Sequence, residues 1–396
     1  MPARRATRLW VSGVVGVGVV AGLLAFGFKA TRGRPKPAPI AAAFDARTPL
    51  PELTVALREG DGRALAALFQ KAIPPAKGPA QPLLDAQAAE WVETLDAVRS
   101  GFLRFGSYGR SSALVVVGRV LQRVAVNPAP ESWTKILPLS HDLMTAGLAD
   151  GDLDVRVTAL VEIGKLWSWN PGRTLSPGDE NVIADWKNGF LEPTVRRLGD
   201  REPNARAAAV ASMGYLLIDN AAAPALAYLD DPTSPEVRRQ VLISFAARPT
   251  LLTEDAVLKH VYDTGPGIRE TAELVLRTRG FNQEQISLGS MIFHPKPEIR
   301  ASVIPLLKKR TDIDPVVWLL QLSRDAEESV RLGTIEALAQ RLTPEGGQRL
   351  AEMAATDKSL AVRQAAVKFL AESQKTASLP PLPPLPGSPR LNPKAN

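Results

Sequence analysis

The chain has 396 residues, 45% of them hydrophobic and 6% aromatic, which suits either two or three globular domains or one continuous array of close-packed helices. It contains no cysteine, so disulfides, thiolate nucleophiles and cysteine-based zinc or iron–sulfur sites are excluded. The net charge of +7 invites phosphate binding, but Arg4, Arg5, Arg8, Lys29, Arg32, Arg34 and Lys36 lie in residues 1–40 without a single acid; removing these seven from 48 Lys and Arg leaves 41, against 41 Asp and Glu. The body is therefore formally neutral, which argues against a nucleic-acid partner.

After a basic N-terminus at 1–8, residues 9–28 read LWVSGVVGVGVVAGLLAFGF, a run of 20 without charge. At the helical rise of about 1.5 Å per residue such a run spans roughly 30 Å, one membrane crossing. Trp10 and Phe28 stand at its ends and basic residues flank both sides. Ala25 and Gly27 offer a small-residue cleavage site, but the apolar run exceeds an ordinary signal-peptide core and Lys29 follows at once, so an uncleaved single-pass anchor is expected. The short basic N-terminus before the run favours an extracytoplasmic body. Gly18 and Gly22 form a small-xxx-small pair through which two spans could weakly self-associate. Residues 29–50, rich in Pro, Ala and cations, read as a linker.

Residues 51–140 show helical apolar spacing in PELTVALREGDGRALAALFQ and AQAAEWVETLDAVRSGFLRF, and Arg110 opens a similar pattern through Val115, Val117 and Leu121. These read as degenerate terminal repeats, one face of which meets solvent.

From 141 to 375 the chain repeats. Arg156, Arg206, Arg238, Arg269, Arg300, Arg331 and Arg363 are separated by 50, 32, 31, 31, 31 and 32 residues. Each follows Val155, Ala205, Val237, Ile268, Ile299, Val330 or Val362, and seven residues later stands Ile163, Met213, Phe245, Leu276, Leu307, Leu338 or Leu370. Three after each arginine lies a mostly small residue, such as Ala159, Ala209, Ala272 or Ala366, so one helical face suits close packing. Pro203, Pro235, Pro266 and Pro297 lie three before the arginine, where a first-turn proline loses no hydrogen bond, and Asp152, Ser234 and Ser359 lie one earlier as N-caps. Six before the arginine, Asp150, Asp200, Asp263, Asp325 and Asp357 recur. Each unit thus predicts a helix, a short Asp-containing turn and a second helix. Segment 376–396, with LPPLPPLPGSPRLNP at 379–393, cannot propagate a helix and reads as a polyproline-II-like tail, or as a ligand for an aromatic groove.

The D-x5-[VI]R units of about 31 residues resemble HEAT repeats of the short, phycobilin-lyase-like class over roughly residues 140–375. The resemblance implies an all-α fold, a right-handed α-solenoid of helix pairs following the one transmembrane helix. It further implies that the arginines and aspartates form an internal ladder between stacked units, a structural and not a chemical role. The sequence departs from the pattern at Ala205, at His294 and Pro232 in the Asp position, and at Pro305 inside a helix.

The 50-residue interval between Arg156 and Arg206 is too long by most of a unit, and its insertion, about 166–186, carries Trp167, Trp169 and Trp186. Insertions in repeat arrays form loops on a functional face, and tryptophans make favoured binding anchors, so these three are the candidate partner-binding residues. The alternative is a loop folded back with its indoles buried. Catalytic and cofactor signatures are absent: His141, His260 and His294 have no metal-ligand spacing, no His-Glu dipeptide of the HEAT-built deoxyhypusine hydroxylases occurs, and no Gly-rich phosphate loop is present. His141 with Asp142, and Asp179 with Glu180, are isolated pairs of a kind common on surfaces. Arg277, Arg279, Lys308, Lys309 and Arg310 would make a basic stripe, or simply complement helix C-termini. No catalytic residue, metal or cofactor is expected. The reading is a membrane-tethered, non-enzymatic scaffold that binds a protein or peptide on a concave helical surface; nucleic-acid binding and a lyase activity are the alternatives.

Overall fold

The computed structural model describes residues 44–72, 85–124, 130–168, 177–216, 218–265, 267–309, 314–341 and 343–377. The expected span at 9–28, with Gly18 and Gly22, and the proline-rich segment from 378 onward lie outside them. Among the described residues no helix is long and apolar enough to cross a membrane, and no strand occurs. The chain divides into two compact units, the first ending at Arg279 and the second beginning at Gly280.

The first unit contains α1 Leu50–Arg58, α2 Ala64–Ala72, α3 Asp85–Gly101, α4 Ser107–Val124, α5 Pro130–Leu148, α6 Leu153–Ser168, α7 Pro177–Asn188, α8 Leu191–Leu198, α9 Pro203–Gly214, α10 Asp219–Ala222, α11 Pro235–Ser244, α12 Glu254–Lys259 and α13 Ile268–Thr278. Helices α2, α4, α6, α9, α11 and α13 pack side by side in that order, while α1, α3, α5 and α8 form a second layer that the 3₁₀ turns of Ala223–Asp230 continue. The layers run through residue 140 without a break, so the segment before it stacks as the later repeats do.

The sequence pattern explains the stacking. Val155, Ala159 and Ile163 lie one turn apart on α6, Ala205, Ala209 and Met213 on α9, Val237 and Val241 on α11 with Phe245 at its C-cap, and Ile268, Ala272 and Leu276 on α13; all are fully buried. Each large apolar side chain so buried contributes about 1.5–3 kcal/mol, and the small middle residue lets the neighbouring helix approach. Helix starts are fixed locally: Pro203 and Pro235 occupy first-turn positions, the Ser234 hydroxyl accepts the Val237 N–H, and Thr253 caps α12 through the Ala256 N–H.

Within the insertion, the described residues from 177 onward form a helix and not the loop that the spacing predicts. Residues 177–188 form α7, begun by Pro177 and carrying Asp179 and Glu180 in its first turn, where carboxylates favour the positive end of the helix dipole. Ile183 and Trp186 are its buried side, with buried Phe190 just beyond its end.

The second unit contains α14 Gln283–Ile292, α15 Pro297–Lys309, α16 Pro315–Leu322, α17 Glu328–Arg341, α18 Pro344–Thr356 and α19 Leu360–Ala377. Helices α15, α17 and α19 pack in one layer and α16 and α18 in the other, over a core that includes Val303, Leu307, Leu319, Val330, Leu338, Leu350 and Val362. An Asn282–Gln285 capping box starts α14. Helix α15 continues through Pro305, as α5 does through Pro138.

Candidate functional site

Two arrangements use the polar residues picked out by the repeat pattern: a ladder of ion pairs within each unit, and a cleft where the insertion joins the array. In the ladder, the Arg156 Nε and Nη2 groups donate to the Asp200 carboxylate at 2.9 and 3.1 Å, and Nη1 donates to the Asp150 and Gly151 carbonyls, both at 3.0 Å. Arg238 grips Asp263 at 3.0 and 2.8 Å, Arg300 grips Asp325 at 2.6 and 2.8 Å, and Arg331 grips Asp357 at 2.9 and 3.0 Å. Arg110, outside the regular spacing, makes the same two-pronged contact with Asp150 at 2.7 and 3.0 Å.

Each aspartate has a second task. The carboxylates of Asp150, Asp200, Asp263, Asp325 and Asp357 accept the backbone N–H two residues on, fixing the turn that starts the next arginine-bearing helix. One carboxylate therefore joins a local turn to the preceding repeat. The planar guanidinium fork suits this geometry as an ammonium would not. Desolvation of both partners makes such a pair a device for register more than for net stability.

The electrostatics follow. Burial acts to raise the pKa of Asp200, Asp231, Asp325 and Asp357, but arginine and backbone donors, joined at Asp231 by the Thr233 hydroxyl, outweigh it and hold all four below the usual carboxylate range. For Asp263, burial is likewise outweighed by Arg238, the Gly265 N–H and His260, and its pKa falls to about 2. His260 is itself buried, with Nδ1 3.0 Å from Asp263 and Nε2 3.5 Å from Asp230.

Two rungs differ from the regular pattern. Arg206 pairs with Asp231, one residue before Pro232, with Nε at 3.0 Å while Nη2 donates to Thr233 at 2.5 Å. The turn there is one residue longer, ending in the Ser234 cap, and this displaces the carboxylate that residue 232 would have supplied. The position six before Arg300 is His294, whose Nδ1 accepts the Lys296 N–H at 3.0 Å and whose carbonyl accepts from Arg300 at 2.8 Å. It performs the turn's task without a carboxylate. Arg363, at the last repeat, donates to the Asp357 carbonyl at 2.6 Å.

The insertion closes a cleft of about 380 Å³ between α5 and α7, lined by Thr134, Leu137, Pro138, His141, Asp142, Val182, Asp185, Trp186 and Gly189. Trp186 is 9% exposed; its Nε1 donates to the Leu137 carbonyl at 3.1 Å, and its ring meets Phe190 edge-on at 5.3 Å. The His141 ring lies tilted against Phe190 at 4.9 Å. Trp167, 7% exposed, donates from Nε1 to the Lys187 carbonyl at 3.0 Å and so ties α7 to α6. Both indoles are therefore buried, Trp167 against the end of α7 and Trp186 from α7 against α5, where it lines the cleft. Trp169 lies outside the described residues.

The cleft opens beside α5, in the layer opposite the arginine-bearing helices. Leu137, Pro138, Val182 and Trp186 make it apolar, and Asp142 and Asp185 put carboxylates at its rim. Asp142 has Arg99 Nη1 at 3.7 Å, whereas the Asp185 side chain is exposed. No hydrogen bond joins His141 to Asp142, so this pair is not aligned for proton relay. Among the described residues no cluster of His, Asp and Glu could hold a metal ion.

Three of the basic side chains at the helix ends are engaged within their own units. Arg277 pairs with Glu273 at 3.0 Å, Arg279 donates to the Ala246 carbonyl at 2.9 Å and lies 3.3 Å from Glu254, and Lys308 pairs with Glu336 at 3.2 Å. Arg310 lies outside the described residues.

No curated protein matches the sequence. Among solved structures, the chain is similar to an engineered protein, with a TM-score of 0.35 and 17% identity over 82% of this chain and 88% of that one. It is similar to a designed armadillo repeat protein, with a TM-score of 0.24 and 18% identity over 66% and 93%. A chain of the Pds5-Scc1 complex matches with a TM-score of 0.35 and 13% identity over 82% and 57%. Values this low carry nothing about partner or activity. The stretch from 315 to 385, which contains the rung between Arg331 and Asp357, matches the family model of HEAT repeats.

Proposed function

We propose that this chain is a non-enzymatic scaffold that binds a protein or peptide in the cleft between α5 and α7. The observation that carries this reading is the cleft itself: an apolar floor of Leu137, Pro138, Val182 and Trp186 with polar groups at its rim, built by a helix that interrupts the repeat. Val182 is 48% exposed and gives the wall an accessible apolar side chain. We read the repeats as the short, phycobilin-lyase-like class, which the 31-residue spacing supports.

The uncharged run at 9–28 supports a single-pass tether, with the helical body on the extracytoplasmic side and weak pairing of spans through Gly18 and Gly22. Deleting 9–28 should release the chain from the membrane fraction into the supernatant. Retention after deletion would remove the tether from the account.

The binding reading is tested with a photoreactive benzoylphenylalanine in place of Val182 and, as a control, in place of Ile218, which is 59% exposed on the same unit. Illumination in cells should give polypeptide adducts at 182 and none at 218. Absence of any polypeptide adduct at 182 would contradict it.

A further inference from the structure

The cleft is apolar along its floor and acidic at its rim, and that combination narrows the polypeptide it accepts. Leu137, Pro138, Val182 and Trp186 give the apolar surface, while Asp142 on α5 and Asp185 on α7 place one carboxylate on each of the two helices that bound the cleft. No Lys or Arg is among the residues that line it. An anionic segment would bring like charges together within a Debye length, about 8 Å at physiological ionic strength, and is disfavoured. A segment that brings a cation meets charge of the opposite sign from both helices.

The two carboxylates are not equivalent. Asp142 has Arg99 Nη1 at 3.7 Å, although Asp96 holds that guanidinium closer, at 2.7 Å. Asp185 is exposed and forms no ion pair among the described residues, so it is the carboxylate left to meet a ligand.

Spacing along the helices gives the register of that ligand. Pro138 and Asp142 are four residues apart on α5, and Val182 and Asp185 are three apart on α7. On each helix the apolar side chain and the carboxylate therefore share a face about one turn, roughly 5.4 Å, apart. In an extended peptide, side chains two positions apart share a face at roughly 6.6 Å. An apolar residue seated on Val182 thus brings the side chain two positions away to Asp185, and the one between points out of the cleft. At about 380 Å³ the space takes a few side chains, in the range of small-ligand sites and far short of a globular domain.

We infer that the occupant of the cleft is a basic, extended segment of a partner protein that carries an apolar residue and, two positions from it, a Lys or Arg. The apolar side chain sits against Leu137, Val182 and Trp186, and the cation pairs with Asp185. The inference rests on the cleft being a polypeptide site, as proposed above.

The test displays random heptapeptides on phage and selects them on the purified full chain, with a parallel selection on Val182→Arg, whose side chain fills the cleft with a cation. The pool retained by the parent and lost on Val182→Arg should carry Leu, Ile, Val or Phe two positions from Lys or Arg. On Asp185→Lys the cation should fall about tenfold in frequency, and Asp or Glu should rise at its position. A peptide from the parent's pool, followed by fluorescence anisotropy, should bind the parent about tenfold more tightly than Asp185→Lys. Circular dichroism should show unchanged helical content in both variants, because Val182 and Asp185 are exposed. A pool that depends on Val182 but has no preference for a cation, or keeps that preference on Asp185→Lys, would overturn the inference while leaving the cleft a polypeptide site. A pool that reproduces a stretch of this chain would also overturn it, by making the occupant a second copy. Retention of no peptide in a manner that depends on Val182 would overturn both readings.

Discussion

Replacing Asp263 by asparagine removes the carboxylate whose acidity the fold perturbs most clearly. Asp263 accepts from Arg238 at 3.0 and 2.8 Å, from the Gly265 N–H at 2.7 Å and from His260 at 3.0 Å. These donors outweigh burial and hold its pKa at about 2, against 3.8 for an unperturbed group. At about 1.4 kcal/mol per unit, the difference is roughly 2 kcal/mol of stability. Because the folded value is the lower one, this stabilisation is complete above about pH 4 and disappears as pH falls through about 2. The assay is the urea midpoint of the full chain by circular dichroism, at steps from near neutrality down to about pH 2.5. Asp263→Asn should be less stable than the parent by about 2 kcal/mol near neutrality, and the gap should narrow to under about 1 kcal/mol at the acid end of that range. The other depressed carboxylates titrate in both proteins and cancel in the comparison. A gap that stays constant with pH, or no gap near neutrality, would refute the assignment of Asp263 as a charged rung.

The shifted rung gives a sharp contrast: Asp231→Ala should cost about 3–5 kcal/mol by stranding buried Arg206, whereas Pro232→Ala should cost under about 1 kcal/mol, both read from urea midpoints. Equal costs would mean that the ladder does not pass through Asp231. Trp186→Ala should cost about 3–5 kcal/mol through lost packing, and Trp186→Phe only about 1–2 kcal/mol through the lost hydrogen bond to Leu137, as thermal unfolding would show.

The helical architecture was legible because its cause is periodic. Val155, Ala159 and Ile163, and their counterparts one repeat away, state which face is buried without reference to any distant residue. The Arg and Asp positions were legible for the same reason wherever the turn kept its length. At Asp231 one extra turn residue moved the carboxylate out of register, and only the Asp231-x-Thr233-Ser234 cap signal could have located it. Arg110 escaped the spacing because the segment between it and Arg156 is longer than a repeat, although Asp150 receives its guanidinium as the others do.

The tryptophans show the converse. Their number in the insertion marked a departure from the repeat, but exposure depends on where α7 docks, a tertiary property that spacing does not encode. Pro177, Asp179 and Glu180 together were a helix-start signal within the supposed loop. The cleft joins Pro138 on α5 to Val182 on α7 across more than forty residues, and no local motif records that pairing.

The account depends most on buried Arg–Asp pairs that lock neighbouring repeats together, and a double-mutant cycle on Arg156 and Asp200 measures this directly. Their side chains are 5% and 3% exposed, so Arg156→Met or Asp200→Leu alone strands a buried charge and should cost about 3–5 kcal/mol. The double variant, with neither charge present, should lose at least about 2 kcal/mol less than the sum of the two single losses. Single losses that add to within about 0.5 kcal/mol would contradict the ladder.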